Sequence, residues 1–356
     1  MELTLESVLK DAKGREASDI YIVVGKALSI KVAGKITEVT EDPLMPADTK
    51  DLLMEIYRLA SNRSLAKVEE NGDDDFSFSL PGVARFRVSA YKQRGTLSAV
   101  IRIVAFELPD PQHLGIPRIA LDQGLRTKGL VLVTGPTGSG KSTTLSCIID
   151  EVNNVRNAHI ITLEDPIEFL HQHKQSIVSQ REISLDTVSY PVALKAALRQ
   201  APNVILIGEL RDAATIEIAM TAAETGHLVI STLHTVGSAN TIDRIVDAFP
   251  PGQQGQIRLQ LAMVLSSVIS QQLIPGADGS TVPVFEIMIV NDAIKNMVRE
   301  SKIHQIDSVI TSSAAEGMVT MDAELLRLAK EGRITPQTAV AYAMSPELTK
   351  KRVSGL

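Results

Sequence analysis

Eight consecutive residues constrain this chain more than anything else in it: Gly135-Pro136-Thr137-Gly138-Ser139-Gly140-Lys141-Ser142, with Thr143 immediately after. They follow the apolar run Gly129-Leu130-Val131-Leu132-Val133 and open a stretch with a helical pattern. Strand, glycine-rich turn, lysine, hydroxyl and helix in that order make a phosphate loop. Glycines let backbone N–H groups converge on phosphate oxygens, and the helix N-terminus adds partial positive charge. Lys141 would neutralise the β and γ oxygens, and the Ser142 hydroxyl would ligate Mg²⁺. The bland alternative, a glycine-rich turn that happens to precede a helix, has to explain strand, lysine and serine all in register. The expected ligands are therefore ATP and Mg²⁺, and the absence of an Asn-Lys-x-Asp guanine motif leans the same way.

Binding is not turnover, which needs groups that orient water and support the metal. Two apolar runs end in carboxylates: Ile160-Ile161-Thr162-Leu163-Glu164-Asp165 and Val204-Ile205-Leu206-Ile207-Gly208-Glu209. In an open parallel sheet, ligands sit outside the carboxyl ends of the strands, so Glu164 and Glu209 would both face the γ-phosphate. One would polarise water while the other holds Mg²⁺ through water, and the sequence does not say which. Taken singly, either glutamate would read as a solvated strand-end residue. A third run, Leu228 to Thr232, carries His227 at its start and His234 past its end. His234 would meet the γ-phosphate. His227 falls at the far end, where a contact to a neighbouring subunit or a structural hydrogen bond is the expected use.

Between Val83 and Arg102 there are five basic residues, Arg85, Arg87, Lys92, Arg94 and Arg102, and no acidic ones. Alternation puts Arg85 and Arg87 on one face of a strand and Phe86 and Val88 on the other. A solvated sheet face is one reading. The other is that Arg85, Arg87 and Arg94 are fingers that stabilise charge on the transferred phosphoryl group from another domain or subunit.

The texture of the chain changes near its proline cluster, Pro109, Pro111 and Pro117. Before it, short β-prone runs such as Ile20 to Val24, Ser29 to Val32 and Asp75 to Phe78 surround a helical stretch from Asp48 to Leu59. That pattern reads as a small α+β domain over 1–106, with a linker at 107–118. From 119 to 356 strands alternate with helices, the signature of a mainly parallel α/β sheet covered on both faces. Its strand candidates are Gly129 to Thr134, His159 to Leu163, Val204 to Gly208, Leu228 to Thr232 and Val284 to Val290. Helices are expected over Tyr190 to Arg199, Ala213 to Glu224 and in segments running to about Met344. The basic run Lys350-Lys351-Arg352 reads as a frayed, solvated tail.

Composition then excludes several classes. Hydrophobic residues make up 44% and charged residues 22%, which is globular rather than disordered. Neither a secretory signal nor a transmembrane run of about 18 apolar residues is visible, so a cytoplasmic location is expected. The single cysteine, Cys147, can form no internal disulfide and reads as a packed core thiol. A net charge of −6, with 3% aromatics and no Trp, argues against a nucleic-acid partner, because single-strand grooves combine basic residues with stacking rings.

Together these motifs resemble the bacterial type II/IV secretion ATPase superfamily. Glu164-Asp165-Pro166-Ile167-Glu168 looks like its "Asp box", Ile207-Gly208-Glu209-Leu210-Arg211-Asp212 like its atypical Walker B motif, and His227 to His234 like its "His box". Ala17-Ser18-Asp19, Arg85-Phe86-Arg87 and Ala293 to Arg299 extend the likeness over nearly the whole chain, the last being similar to a signature of the pilus-retraction branch. A start close to the small domain and the lack of a tetracysteine zinc module favour that branch over the extension and type II secretion motors. Lys295, where the branch commonly has arginine, is a departure from the signature. His171-Gln172-His173 and Leu198 to Pro202 resemble the sister retraction ATPase instead.

The resemblance implies a PAS-like N-terminal domain, a RecA-like phosphate-loop ATPase domain with C-terminal helices, and a homo-hexamer with active sites between the domains. It also implies an inner-membrane pilus platform protein as partner, possibly a second retraction ATPase, and a position at the inner face of the cytoplasmic membrane. Two readings compete from other classes: a nucleic-acid translocase, and a nucleotide switch that binds without hydrolysing.

Overall fold

The apolar run before the phosphate loop is a strand with all six residues buried, and the larger of two sheets is built around it. The computed structural model describes residues 4–104 and 108–354, so position 106, the expected end of the first domain, lies outside the described residues. The chain divides into two compact units, Met1–Glu107 with Glu168–Leu170, and Leu108–Ile167 with His171–Leu356.

The first unit holds six strands, β1 (Asp19–Ile22), β2 (Ala27–Val32), β3 (Lys35–Pro43), β4 (Asp73–Leu80), β5 (Ala84–Gln93) and β6 (Thr96–Val104). They form one antiparallel sheet in the order β3-β2-β1-β6-β5-β4. Helices Leu5–Gly14 and Pro46–Leu59 contribute Leu5, Leu9, Leu53 and Ile56 to a core with Ile20, Phe86, Val88 and Ile101. Phe86 and Val88 face inward as period-two alternation requires, leaving Arg85 half-buried and Arg87 exposed on the opposite face.

The second unit contains β7 (Gly129–Thr134), β8 (His159–Glu164), β9 (Ile177–Glu182), β10 (Val204–Ile207), β11 (Leu228–Leu233), β12 (Leu265–Pro275) and β13 (Thr281–Ile289). Their order is β13-β12-β7-β11-β10-β8-β9, parallel except for the antiparallel β12–β13 pair. Separate apolar clusters on the two faces of the sheet bury β7 on both sides, Leu130 and Leu132 in one and Val131 and Val133 in the other. Each such side chain contributes roughly 1.5–3 kcal/mol. The resulting class is the expected one: a mixed α/β parallel sheet with an N-terminal antiparallel unit and C-terminal helices.

Two strands of the second unit were not anticipated. β9 is an edge strand with only Val178 and Glu182 fully buried, so it lacks an apolar run. β12 is long and central but carries Ser266, Ser267, Ser270, Gln271 and Gln272, which mask it as a strand.

The reading of Lys350-Lys351-Arg352 as a frayed tail is corrected. These residues lie in the helix Pro346–Val353, whose Thr349 and Val353 are buried, and three cations in its last turn suit the helix dipole. Cys147 is buried as expected, and burial pushes its thiol up to about 11. No helix among the described residues is long and apolar enough to cross a membrane.

Candidate active site

The phosphate loop joins β7 to the helix Lys141–Val155, with Gly140 as the helix cap in left-handed conformation. Gly135 has φ +146°, and a Cβ there would sit 2.1 Å from the Gln271 carbonyl oxygen, so only glycine lets β12 and the loop approach this closely. Lys141 is 8% exposed, and its Nζ donates to the carbonyls of Gly135 and Pro136, each at 2.9 Å. The ammonium thus lies across the mouth of the loop formed by Gly135, Pro136, Thr137, Gly138 and Ser139. The Ser139 hydroxyl is buried without a hydrogen-bond partner. Ser142 and Thr143 are half-buried in the first helical turn, and Thr144 donates to Gln271 Oε1 at 2.7 Å.

The parallel register brings the other motifs to the same edge. β10 lies between β8 and β11, so Glu164 and Glu209 leave neighbouring strands side by side. Gly208 N–H donates to the Leu163 carbonyl at 2.7 Å, and Thr232 Oγ1 donates to the Gly208 carbonyl at 2.6 Å, which fixes the backbone just before Glu209. Glu164 Oε1 accepts from Thr162 Oγ1 at 2.6 Å and Gln180 Nε2 at 3.1 Å. Glu209 pairs with Arg211, whose other nitrogen is 3.9 Å from Asp165. Asp212 caps the next helix by accepting from Thr215 N–H at 2.8 Å, a structural role.

His234 ties these pieces together. Its Nδ1 lies 3.4 Å from Thr137 Oγ1 of the loop and its Nε2 lies 3.3 Å from Glu209 Oε2. Thr137, His234 and Glu209 thus form one polar chain from the loop to the strand-end carboxylate. Downstream, Gly237 N–H donates to Ser270 Oγ at 2.9 Å, and buried Glu286 accepts from Ser238 N–H at 2.6 Å, anchoring the turn after His234.

His227 does not join this group. It precedes β11 at the opposite end, seven residues from His234, roughly 20 Å along a strand. Its Nδ1 is 2.9 Å from the Ala222 carbonyl, the structural hydrogen bond that was one of the two uses expected of it. The arginines also separate. Arg85 bonds Ser79 across the β4–β5 pair at 3.4 Å, and Arg87 faces Arg102 across β5–β6. Like charges directly opposite are unfavourable. Arg102 is offset by Asp19 at 3.1 Å. Arg94 sits in the tight turn after β5 with φ +49°, roughly 30 Å from Arg85 along the strand, so one patch does not hold all three.

Residues 1–308 match the family model described as type II/IV secretion system protein. The chain belongs to that family. It is 44% identical over 331 residues to the type IV pilus retractation ATPase PilT of Pseudomonas aeruginosa, covering 93% of this chain and 95% of that one. It is 38% identical to the type IV pilus ATPase PilU of the same organism, covering 96% and 89%. Among solved structures, the pilus retraction motor PilT with bound ADP superposes with a TM-score of 0.89 at 44% identity, covering 98% of this chain and 99% of that one. Family membership accounts for the loop and strand-end motifs. Gln271, Gln180 and Tyr190 carried no motif signal, because each reaches the site from a segment outside the motifs.

Proposed function

We propose that this chain is a motor ATPase that hydrolyses ATP to drive type IV pilus retraction, the disassembly that supports twitching motility. The observation that carries this reading is the path Thr137–His234–Glu209 from phosphate loop to strand-end carboxylate, in a chain this similar to PilT. Residues 135–143 would wrap the triphosphate, with Lys141 exchanging two loop carbonyls for β and γ oxygens. The base would extend toward a cavity of about 240 Å³ lined by Leu114, Ile116, Thr143, Leu273 and Pro283. Glu164 or Glu209 would take a proton from the attacking water.

The donor set suits Mg²⁺: the Ser142 hydroxyl and the two glutamate carboxylates, directly or through water, are hard oxygen ligands beside the phosphate cradle. The ion would neutralise charge on the phosphate oxygens. Arg85 and Arg87, with Arg94 as the outlying candidate, would supply fingers from the N-terminal PAS-like domain (1–106). That domain would join the RecA-like domain (119–356) through 107–118. His227 would meet a neighbouring subunit. The working assembly would be a homo-hexamer on an inner-membrane platform protein at the cytoplasmic face, with a second retraction ATPase as a further partner and no nucleic acid.

Two experiments test this. Purified protein should hydrolyse Mg²⁺-ATP, and Lys141→Ala should abolish nucleotide binding; a protein with no magnesium-dependent affinity for adenine nucleotides would overturn the reading. Deleting the encoding gene should leave excess static pili, whereas loss of pili would mean an extension motor. Mixing Arg85→Ala with Lys141→Ala subunits should restore activity if the finger acts in trans.

A further inference from the structure

One polar group at the carboxylate edge belongs to none of the motifs. Tyr190 opens the helix Tyr190–Ala197, and its ring is buried with Leu163, Ile207, Ala193 and Leu194. Its hydroxyl emerges at Gly208, between the carboxyl ends of β8 and β10. A Cβ on Gly208 would come within 2.6 Å of that oxygen, while meeting the Leu163 carbonyl and Glu164 Cα only at ordinary distances of 3.4 and 3.5 Å. Gly208 therefore makes room for the phenol.

Among the described residues the hydroxyl has no hydrogen-bond partner, although Glu164, Asp165, Glu209 and Arg211 all act on it electrostatically. Burial first, then the charges of Asp165, Glu209 and Glu164, push the phenol above its usual range, so it keeps its proton and remains a donor. The ring is buried while its hydroxyl stays open to water among the carboxylates, the amphipathic use that a tyrosine allows.

We propose that Tyr190 is a further catalytic residue, its hydroxyl holding the attacking water between Glu164 and Glu209; this rests on the hydrolysis reading above. In that reaction the water oxygen bonds to the γ-phosphorus as the bond from that phosphorus to the β–γ bridging oxygen breaks. ADP leaves with the electron pair, and the water's proton passes to a glutamate and on to phosphate. A neutral hydroxyl can orient that water without placing a further charge beside the carboxylate that accepts its proton.

The test is Tyr190→Phe in the full chain, which keeps the ring and removes one oxygen. The kcat for Mg²⁺-ATP should fall about 10- to 100-fold, with KM, ADP affinity and melting temperature unchanged. Gly208→Ala should lower kcat by displacing the hydroxyl, and should cost nothing further in the Tyr190→Phe background. A Tyr190→Phe kcat within about twofold of the parent, or a loss of ADP affinity and melting temperature in step with kcat, would overturn the assignment. If the phenylalanine variant fails to fold, additive rather than shared effects cannot be scored there, and an unchanged kcat in Gly208→Ala alone would overturn it. Absence of hydrolysis by the parent protein would instead sink the ATPase reading itself.

Discussion

The two units each gather carboxylates, and they treat them in opposite ways. In the antiparallel unit the Asp74 side chain is fully buried and saturated. Arg63 donates to both its oxygens at 2.8 Å, Lys67 pairs at 2.9 Å and Tyr57 donates at 3.1 Å. Burial alone would raise its carboxyl pKa, but hydrogen bonds from Arg63 and Lys67 outweigh it and leave it below the ordinary range. In the parallel unit Glu164, Asp165 and Glu209 sit at strand ends with a bare phenol beside them and a buried, unpartnered Ser139 hydroxyl in the loop. A satisfied buried charge holds a fold together, whereas carboxylates at an open strand edge, beside two hydroxyls without partners, keep capacity for a ligand.

That contrast can be broken in four ways. Asp74→Ala removes the buried acceptor shared by Arg63, Lys67 and Tyr57 and should cost about 3 kcal/mol in denaturant unfolding, with kcat per folded molecule unchanged. A loss of kcat without loss of stability would erase the distinction. Glu209→Gln is the converse: hydrolysis should drop about 10²- to 10³-fold while ATP affinity and stability hold. Hydrolysis near the parent rate would remove the role given to Glu209.

The third prediction concerns acid. Burial lowers His171 to about 4, so it is neutral when folded and protonates on unfolding. Stability should therefore be whole above about pH 6.5 and fall by roughly 3 kcal/mol as pH drops to about 4. Asp74, whose pKa is depressed, withdraws its contribution only below about 3.8, so the two units should weaken in separate windows. His171→Asn should flatten the upper window in chemical denaturation measured against pH. Smallest is Thr232→Val, which removes the donor to the Gly208 carbonyl and should cost about 1 kcal/mol, with a modest fall in kcat as the Glu209 backbone loosens. No change in either would show that the strand holds Gly208 without that hydroxyl.

Much of the site is legible in the amino-acid sequence. The expected strands over Gly129–Thr134, His159–Leu163 and Leu228–Thr232 match β7, β8 and β11 within one residue, because a strand buried on both faces must be apolar throughout. Parallel register then carried Glu164, Glu209 and His234 to one edge. Arg94 was grouped with Arg85 and Arg87 by neighbourhood in sequence, and the strand length that separates it from them has no local signature, whereas the run after His227 already put it at the far end. β12 escaped for a different reason, since its serines and glutamines look like surface.

What the sequence determined by itself is where along the chain the sheet's central strands and the phosphate loop lie, since both follow from local patterns: apolar runs, a glycine-rich turn, and a lysine opening a helix. Only the tertiary structure decided which polar residues are interior. Gln271 can be buried because Thr144 donates to it, and Ser270 because Gly237 N–H donates to it. The Tyr190 phenol reaches the carboxylates because Gly208 has no side chain. Burying a polar group is costly without a partner, and here each partner lies on another element, so nothing near the residue in sequence announces it.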